Sequence, residues 1–349
     1  MYRWSRPLVK RPERSVEEWF ATRENVSVMA SALRKPRPLA PGDTIGLVSP
    51  SGPSRAGGNG TTPDTVEQTR HRLHSVGFRT VVAPHAFDAR GYLAGSDADR
   101  AADLQAMLED AAIHGILCIR GGYGAHRLLD RLDYQAIGRR PKVFIGYSDI
   151  TALHLAFYTQ CGFVTFHGPM AAAVAQSDPH DYLEMLRAVT RPAPLGRLLN
   201  PPGAPAVETL VPGAADGLLI GGNAALLTGL LGTPFAPETR DFRGAILFLE
   251  DVGDKLYRFD RKLAHLRLSG ILDQVAGIVV GECRYTAERD ETLSLRQILD
   301  DHIVPLGKPA IYGLACGHGT FHLTLPIGVR AHLDATERTL SIDEAGVEN

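Results

Sequence analysis

The chain has 349 residues, of which 44% are hydrophobic and 22% charged, so it can bury the cores of two globular domains. The formal net charge of -2 gives no general attraction to nucleic acids or acidic membranes, and no apolar run approaches the roughly 18 residues that span a bilayer. The four cysteines form no C-x-x-C pair, so the spacing of metal ligands is absent. We therefore expect no metal, no nucleic-acid partner and no membrane association.

Residues 1–37 differ from the rest of the chain. From Met1 to Ala40 there are nine lysines and arginines against four acidic residues, and the apolar residues stand singly or in pairs. Without a continuous hydrophobic stretch this is not a secretory signal. We predict a poorly ordered extension or a start site placed too early, with Met29 as the alternative start. Without a targeting signal, the expected location is the cytoplasm.

From Pro41 onward, short apolar strands alternate with helices. Strands are predicted at 44–49, 78–83, 115–119 and 142–146, and helices at 64–76, from 97 onward, at 125–132 and at 149–159. This alternation is typical of βα units that build a parallel sheet covered on both faces. In such sheets, sites lie beyond the carboxyl ends of the strands. The pattern predicts an α/β domain at 38–190.

A proline-rich stretch at 191–205 is the predicted linker to a second α/β domain at 206–345. In that half, strands are predicted at 217–220, 245–249, 277–281, 310–313, 329–334 and 340–343, and helices at 223–231, 256–268 and 294–302. The helix at 256–268 has one apolar face, with Leu256, Phe259, Leu263 and Leu266 spaced by three or four residues. The second domain is not a repeat of the first.

Two turns after strands can carry chemistry. Ser148 lies at the tip of the strand-to-helix turn 146–150, where a nucleophile elbow would hold it, although Ile150 replaces the usual second glycine. Ser148 could also be only a helix N-cap. The glycine loop 120–124 could cradle a phosphate, donate N–H groups to an oxyanion or simply turn the chain.

A serine nucleophile needs a histidine base and an acid that orients the histidine. The candidate bases are His318, which is flanked by glycines after a strand, His167, which also follows a strand, and the nearby His322. His154 and His265 fall on predicted helices and are expected to be surface or core residues. Glu250 and Asp251 end an apolar strand, where an acid can reach a cleft or simply be solvated.

Several motifs in one order carry a family resemblance. They are RGGYG at 120–124, FIGYSDITALH at 144–154, FHGPM at 166–170, GGN at 221–223, LEDVG at 249–253, YRFDR at 257–261, GHG at 317–319 and LPIG at 325–328. From about Pro41 to Asp343 the chain resembles the serine LD-carboxypeptidases, of the LD-carboxypeptidase A or murein tetrapeptide carboxypeptidase type. Each motif alone is weak, but the ordered set is specific.

The resemblance implies a catalytic triad of Ser148, Glu250 and His318, with an oxyanion hole formed by the backbone N–H groups of Gly122 and Asp149. It makes His167 a structural or wall residue. It implies a flavodoxin-like first domain, similar to class I glutamine amidotransferases, and a swivelling β/α second domain. The triad would assemble across the interface between the two domains of the chain, and the protein would be a homodimer.

Two further residues of these motifs, Tyr123 and Asn223, are expected to contact substrate. One segment departs from the family pattern. Where the family often has Gly-Glu-x-Pro-Tyr, this chain has Asp254 and Leu256 in the stretch 253–257. The change leaves the triad intact and puts the local substrate contacts in doubt.

The activity implied is hydrolysis, without a cofactor, of the amide that joins the L-centre of a diamino acid to a terminal D-Ala. The substrate would be a murein tetrapeptide released during cell-wall recycling. One alternative is the microcin-immunity branch of the family, which cleaves peptidyl-nucleotide antibiotics, although no nucleobase platform is evident. Another is a non-catalytic ligand-binding module. A cysteine amidotransferase is disfavoured because Ser148 occupies the elbow.

Overall fold

Two β-sheets organise the part of the chain that a computed structural model describes, residues 33–54, 61–176, 179–253, 255–285 and 293–349. Fourteen strands occur in these residues. They are β1 Thr44–Val48, β2 Arg79–Val82, β3 Gly115–Cys118, β4 Val143–Gly146, β5 Thr165–His167, β6 Gly196–Leu198, β7 Glu208–Val211, β8 Ala214–Asn223, β9 Ile246–Gly253, β10 Gly277–Tyr285, β11 Ala310–Leu314, β12 Leu325–Ile327, β13 Arg330–Asp334 and β14 Thr339–Ile342.

Ten α-helices connect and cover these strands within the same residues. They are α1 Pro63–Ser75, α2 Asp97–Glu109, α3 Tyr134–Gly138, α4 Thr151–Cys161, α5 Ala171–Gln176, α6 Pro179–Thr190, α7 Ala224–Leu230, α8 Leu256–Leu268, α9 Ile271–Gln274 and α10 Leu295–His302. Short 3₁₀ helices occur at Ala125–Arg131, Ser148–Ile150, Thr239–Phe242 and Val304–Leu306. No helix of the described residues is both long and apolar enough to cross a membrane.

The first sheet has the strand order β12-β5-β4-β3-β1-β2. Its strands β1 to β5 are parallel and follow the flavodoxin-like order 2-1-3-4-5, which confirms the predicted fold class. All four residues of β3 and of β4 are buried, because helices cover both faces of the sheet. The carboxyl ends of β3 and β4 carry the glycine loop and Ser148.

The second sheet has eight strands in the order β6-β14-β13-β8-β9-β10-β11-β7. Its centre, from β8 through β9 and β10 to β11, is parallel, and the flanking pairs are antiparallel. A mixed sheet of this kind agrees with the predicted second α/β unit. Glu250 lies near the carboxyl end of β9, and the loop after β11 carries His318.

Local sequence explains where several helices begin. Thr62 caps α1 in a capping box with Thr65, and Ser96 caps α2 by accepting a hydrogen bond from the backbone N–H of Asp99. The segment 125–132, predicted as an α-helix, is a 3₁₀ helix instead. The backbone N–H of Ala125 donates to Asp149 at 2.8 Å, and Asp133 starts the next helix as its N-cap, so the segment is held at both ends.

Some segments cross the expected domain boundaries. Strand β6 lies within the stretch expected to be a linker and pairs with β14, while β12 returns from the second half of the chain to pair with β5. At the end of the expected extension, Arg34 forms a β-bridge with Phe163 and donates to the carbonyl of Cys161 at 2.7 Å. The remainder of that extension, 1–32, is outside the described residues.

Candidate active site

Ser148 lies on a sharp turn between β4 and α4. Its φ of 63° is left-handed, a conformation that costs a residue with a side chain about 1–2 kcal/mol. A Cβ at Gly146 would lie 2.9 Å from Ile150, so only glycine fits the entry to this turn. Strain of this kind is concentrated at functional sites and agrees with the predicted elbow. The bend lifts the Ser148 hydroxyl above the end of the sheet.

The three side chains predicted as a triad lie in one hydrogen-bonded chain. Nε2 of His318 is 2.9 Å from Oγ of Ser148, and Nδ1 of His318 is 2.5 Å from Oε2 of Glu250. Residues separated by as many as 170 positions in sequence are thereby brought together. A base within reach of the hydroxyl, and an acid within reach of the base, is the arrangement that nucleophilic catalysis by serine requires.

Glu250 is completely buried, and its Oε1 has no hydrogen-bond partner among the described residues. A buried carboxylate needs compensation by a nearby cation or donor, and His318 supplies it. Burial lowers the pKa of His318, but the charge of Glu250 and the hydrogen bond to it raise that pKa by more, so the net shift is upward. The imidazolium form is therefore stabilised.

The upward shift predicts the pH dependence of hydrolysis. A general base must be neutral, so kcat/KM should fall as the pH decreases through a pKa that lies above the ordinary histidine value of 6.5. A pH–rate profile of the wild-type protein on a peptide substrate measures this acidic limb. A limb centred clearly below 6.5 would contradict the stabilisation of the imidazolium by Glu250.

The glycine loop lies against the serine. A Cβ at Gly121 would be 3.1 Å from Cβ of Ser148, and Gly122 has a φ of 112° with a Cβ position 3.3 Å from Gly52. The carboxylate of Asp149 accepts from the hydroxyl of Ser51 at 2.6 Å and from the backbone N–H of Ala125 at 2.8 Å. These contacts fix the loop next to the elbow, as an oxyanion hole from Gly122 and Asp149 would need; that role stays a prediction.

Gly122→Ala tests the loop. The side chain would force a left-handed φ on alanine and press on Gly52, so the N–H at this position should shift. Since one oxyanion donor is worth about 10²–10³ in kcat, we expect a loss of that order in steady-state assays. The matched control is Gly307→Ala, which has a φ of 63° and open space around its Cβ position. Equal effects of the two substitutions would contradict the prediction.

The other candidate histidines are placed elsewhere. His167 is buried with its Nε2 2.9 Å from the carbonyl of Cys316, and His154 contacts the carbonyl of Gly146 at 2.8 Å. Burial lowers the pKa of His154 to about 4, and burial is also the main reason that the pKa of His322 is lowered to about 4. These rings stay neutral near pH 7, and His265 is exposed on α8.

The residues expected to touch substrate have different surroundings. Tyr123 is 49% exposed, and its ring lies 5.6 Å from that of Tyr92 in an edge-to-face pair. Asn223 is buried and its Oδ1 caps α7, while its backbone N–H donates to the hydroxyl of Thr151 at 3.0 Å. A substrate contact by Asn223 would therefore use its Nδ2. Asp254, where the chain departs from the family pattern, lies outside the described residues.

Sequence reasoning missed a buried cluster on the opposite face of β9. Asp251 is fully buried, and its Oδ2 accepts from Lys262 and from the hydroxyl of Tyr285, the latter at 2.5 Å. Adjacent residues of a strand point to opposite faces, so Glu250 faces the serine and Asp251 faces this cluster. Strand alternation was the signal that distinguishes the two acids. Within the described residues the four cysteines are free.

Comparisons with known proteins identify relatives of this chain. Residues 45–168 match the model of the LD-carboxypeptidase N-terminal domain, and residues 216–333 match that of the C-terminal domain. A protein of Bacillus subtilis named as a probable murein peptide carboxypeptidase is 37% identical over 90% of this chain and 95% of its own length. The murein tetrapeptide carboxypeptidase of Pseudomonas aeruginosa is 31% identical over 78% of this chain and 89% of its own.

A third relative has a different named role. The microcin self-immunity protein MccF of Escherichia coli is 29% identical over 88% of this chain and 95% of its own length. A structure of MccF in complex with glutamyl sulfamoyl guanosine covers 90% of this chain and 99% of that one, at 27% identity and a TM-score of 0.81. The family models and the carboxypeptidase relatives confirm the resemblance found in the motifs. The chain belongs to the LD-carboxypeptidase family of peptidases.

Proposed function

We propose that the protein is a serine-type LD-carboxypeptidase that releases terminal D-Ala from murein tetrapeptides during cell-wall recycling. The observation that supports this most is the hydrogen-bonded chain from Ser148 through His318 to the buried Glu250. Relatives named for murein peptides support the substrate class. The cytoplasmic location and the homodimer remain part of the proposal, and light scattering coupled to size exclusion tests the dimer.

In the proposed mechanism, Oγ of Ser148 attacks the carbonyl carbon of the diamino acid, and His318 accepts the hydroxyl proton at Nε2. The carbonyl oxygen becomes an oxyanion, stabilised by the N–H groups of Gly122 and Asp149. His318 then gives its proton to the amine of D-Ala, which leaves, and the acyl group stays on Ser148. Water, deprotonated by His318, attacks the acyl-enzyme; His318 then returns that proton to Oγ of Ser148 as the ester bond breaks and the shortened peptide leaves. Throughout, Glu250 stabilises the imidazolium.

The test is incubation of the purified protein with murein tetrapeptide and measurement of free D-Ala. Release at a rate that scales with enzyme concentration is the expected result. Two tetrapeptides, one with lysine and one with diaminopimelate, also determine which diamino acid the enzyme prefers. If neither peptide yields D-Ala while a serine-directed phosphonate still labels Ser148, the proposed substrate class is wrong, but the protein would still be a serine hydrolase.

A second candidate function is hydrolysis of a peptidyl-nucleotide, in the manner of the immunity branch. The observation that favours it is the exposed ring pair formed by Tyr92 and by Tyr123 of the glycine loop, since such rings can stack on a nucleobase. An aminoacyl sulfamoyl adenosine offered as substrate distinguishes the two candidates. Faster turnover of this compound than of the tetrapeptide would place the protein in the immunity branch.

A further inference from the structure

Arg284 stands on the same face of the second sheet as Glu250. In the parallel pair β9–β10, Arg284 is opposite Val252, which lies two residues beyond Glu250. Residues two apart share a face, and so do residues paired across strands. The opposite face is occupied by Asp251 and Tyr285, which hydrogen-bond to each other. The guanidinium of Arg284 therefore extends on the side of the sheet where the triad assembles.

The position along the strand also brings Arg284 toward the reacting groups. Strands β9 and β10 run in the same direction, so Arg284 and Glu250 both lie near the carboxyl edge of the sheet. The loop that carries His318 follows β11 at the same edge. The backbone N–H of His318 donates to the carbonyl of Glu282, two residues before Arg284. The catalytic histidine is thus tied to the strand segment that carries this arginine.

The charge of Arg284 is not neutralised by the part of the chain that the structure describes. Arg284 is exposed, and no carboxylate of those residues forms an ion pair with it. By contrast Arg100 and Arg127 are both paired with Asp97. The described charges that act most on His318 are the acids Glu250 and Asp251 and the base Arg284. Arg284 is therefore a cation close enough to the triad to act on His318.

We propose that the guanidinium of Arg284 binds the terminal carboxylate of the substrate and so makes the enzyme select free peptide C-termini. This inference rests on the proposed carboxypeptidase function. A carboxypeptidase must hold a carboxylate a few bonds beyond the scissile amide, and arginine can bind one with two parallel hydrogen bonds. A cation at this place would also offset the repulsion between the charge of Glu250 and the carboxylate of the departing D-Ala.

The experiment compares a tetrapeptide with its C-terminal amide, for the wild-type protein and Arg284→Ala. The wild type should prefer the acid, and Arg284→Ala should lose about 10- to 100-fold in kcat/KM on the acid, mainly through KM, and little on the amide. Arg284→Lys, which keeps the charge without the two-pronged geometry, should recover part of the preference. If Arg284 had only a structural role, its substitution would lower kcat/KM on the acid and on the amide by the same factor, and the ratio of the two values would not change.

Controls separate this inference from the proposed function. Arg197→Ala removes an exposed arginine of the edge strand β6 in the same sheet, five strands from β10 or about 24 Å away, and should keep the preference for the acid. Labelling of Ser148 by a phosphonate shows that each variant retains its elbow. If the wild type releases D-Ala and Arg284→Ala keeps the full preference for the acid over the amide, the role of Arg284 is wrong and the proposed function is retained. If the wild type releases no D-Ala, both the role of Arg284 and the proposed function are wrong.

Discussion

We expect Ser148→Ala to abolish the release of D-Ala, with kcat reduced by about 10⁶-fold. The substitution removes the only atom that can form the acyl-enzyme, and loss of a triad serine in a serine protease has an effect of about this size. The hydroxyl meets Nε2 of His318 at 2.9 Å, so the base is already in place to accept its proton. Steady-state and single-turnover assays on the tetrapeptide measure the loss.

Ser148→Gly is the matched companion to the alanine variant. Both variants lack the hydroxyl, but glycine adopts the φ of 63° without strain. The free energy of unfolding of Ser148→Gly should therefore be about 1 kcal/mol larger than that of Ser148→Ala. Urea denaturation of the two variants measures this difference. Turnover by either variant near the wild-type rate would show that Ser148 is not the nucleophile. Lower stability of the glycine variant would show that the turn carries no strain.

Glu250→Gln should reduce kcat by about 10⁴-fold while leaving the fold in place. The amide keeps the size of the side chain but cannot stabilise the imidazolium, and it no longer fixes which nitrogen of His318 bears the proton. Glu250 is fully buried and lies 2.5 Å from Nδ1 of His318, so the substituted side chain remains against the ring. Activity assays and circular dichroism, measured side by side, separate loss of catalysis from loss of structure.

The same variant should change the pH profile of the residual activity. In the wild type, the charge of Glu250 and its hydrogen bond raise the pKa of His318 against the lowering effect of burial. With both contributions removed, burial dominates, so the acidic limb should move to lower pH. Asp251→Asn is the control, since it alters the next carboxylate on the opposite face and should affect stability more than kcat. An unmoved limb in Glu250→Gln would contradict the assigned pairing.

The sequence predicted the elements that depend on local backbone requirements. The glycine loop 120–124 was identified because glycines allow the backbone to approach a ligand closely, and the turn at Ser148 because a serine between a predicted strand and a predicted helix is typical of a nucleophile elbow. The parallel sheet of the first half followed from the alternation of short apolar strands with helices, and its flavodoxin-like fold from the family resemblance. Local pattern was a poorer guide at 125–132, where a tertiary hydrogen bond from Ala125 to Asp149 favours a 3₁₀ helix over an α-helix.

Local sequence pattern could not decide which histidine is the base and which acid orients it. His167, His318 and His322 each lie near a turn in the sequence, and only the resemblance to a family favoured His318 before the structure was known. The structure separates them by surroundings, since His167 is buried against a carbonyl while His318 reaches both Ser148 and Glu250. Burial and the partners of a ring are properties of the folded chain, so periodicity cannot report them.

By itself, then, the sequence determined the family, the α/β class and the elbow serine, because these depend on ordered motifs and on backbone geometry encoded by neighbouring residues. Only the tertiary structure decided how the site is assembled. Gly222 of the second sheet comes so close to Thr151 that a Cβ would lie 2.7 Å from its side chain, and Asn223 donates to the hydroxyl of Thr151 at 3.0 Å. This contact sets the second sheet beside the helix that follows Ser148. The acid and base of one sheet thereby meet the serine of the other, across distances in sequence that no local pattern spans.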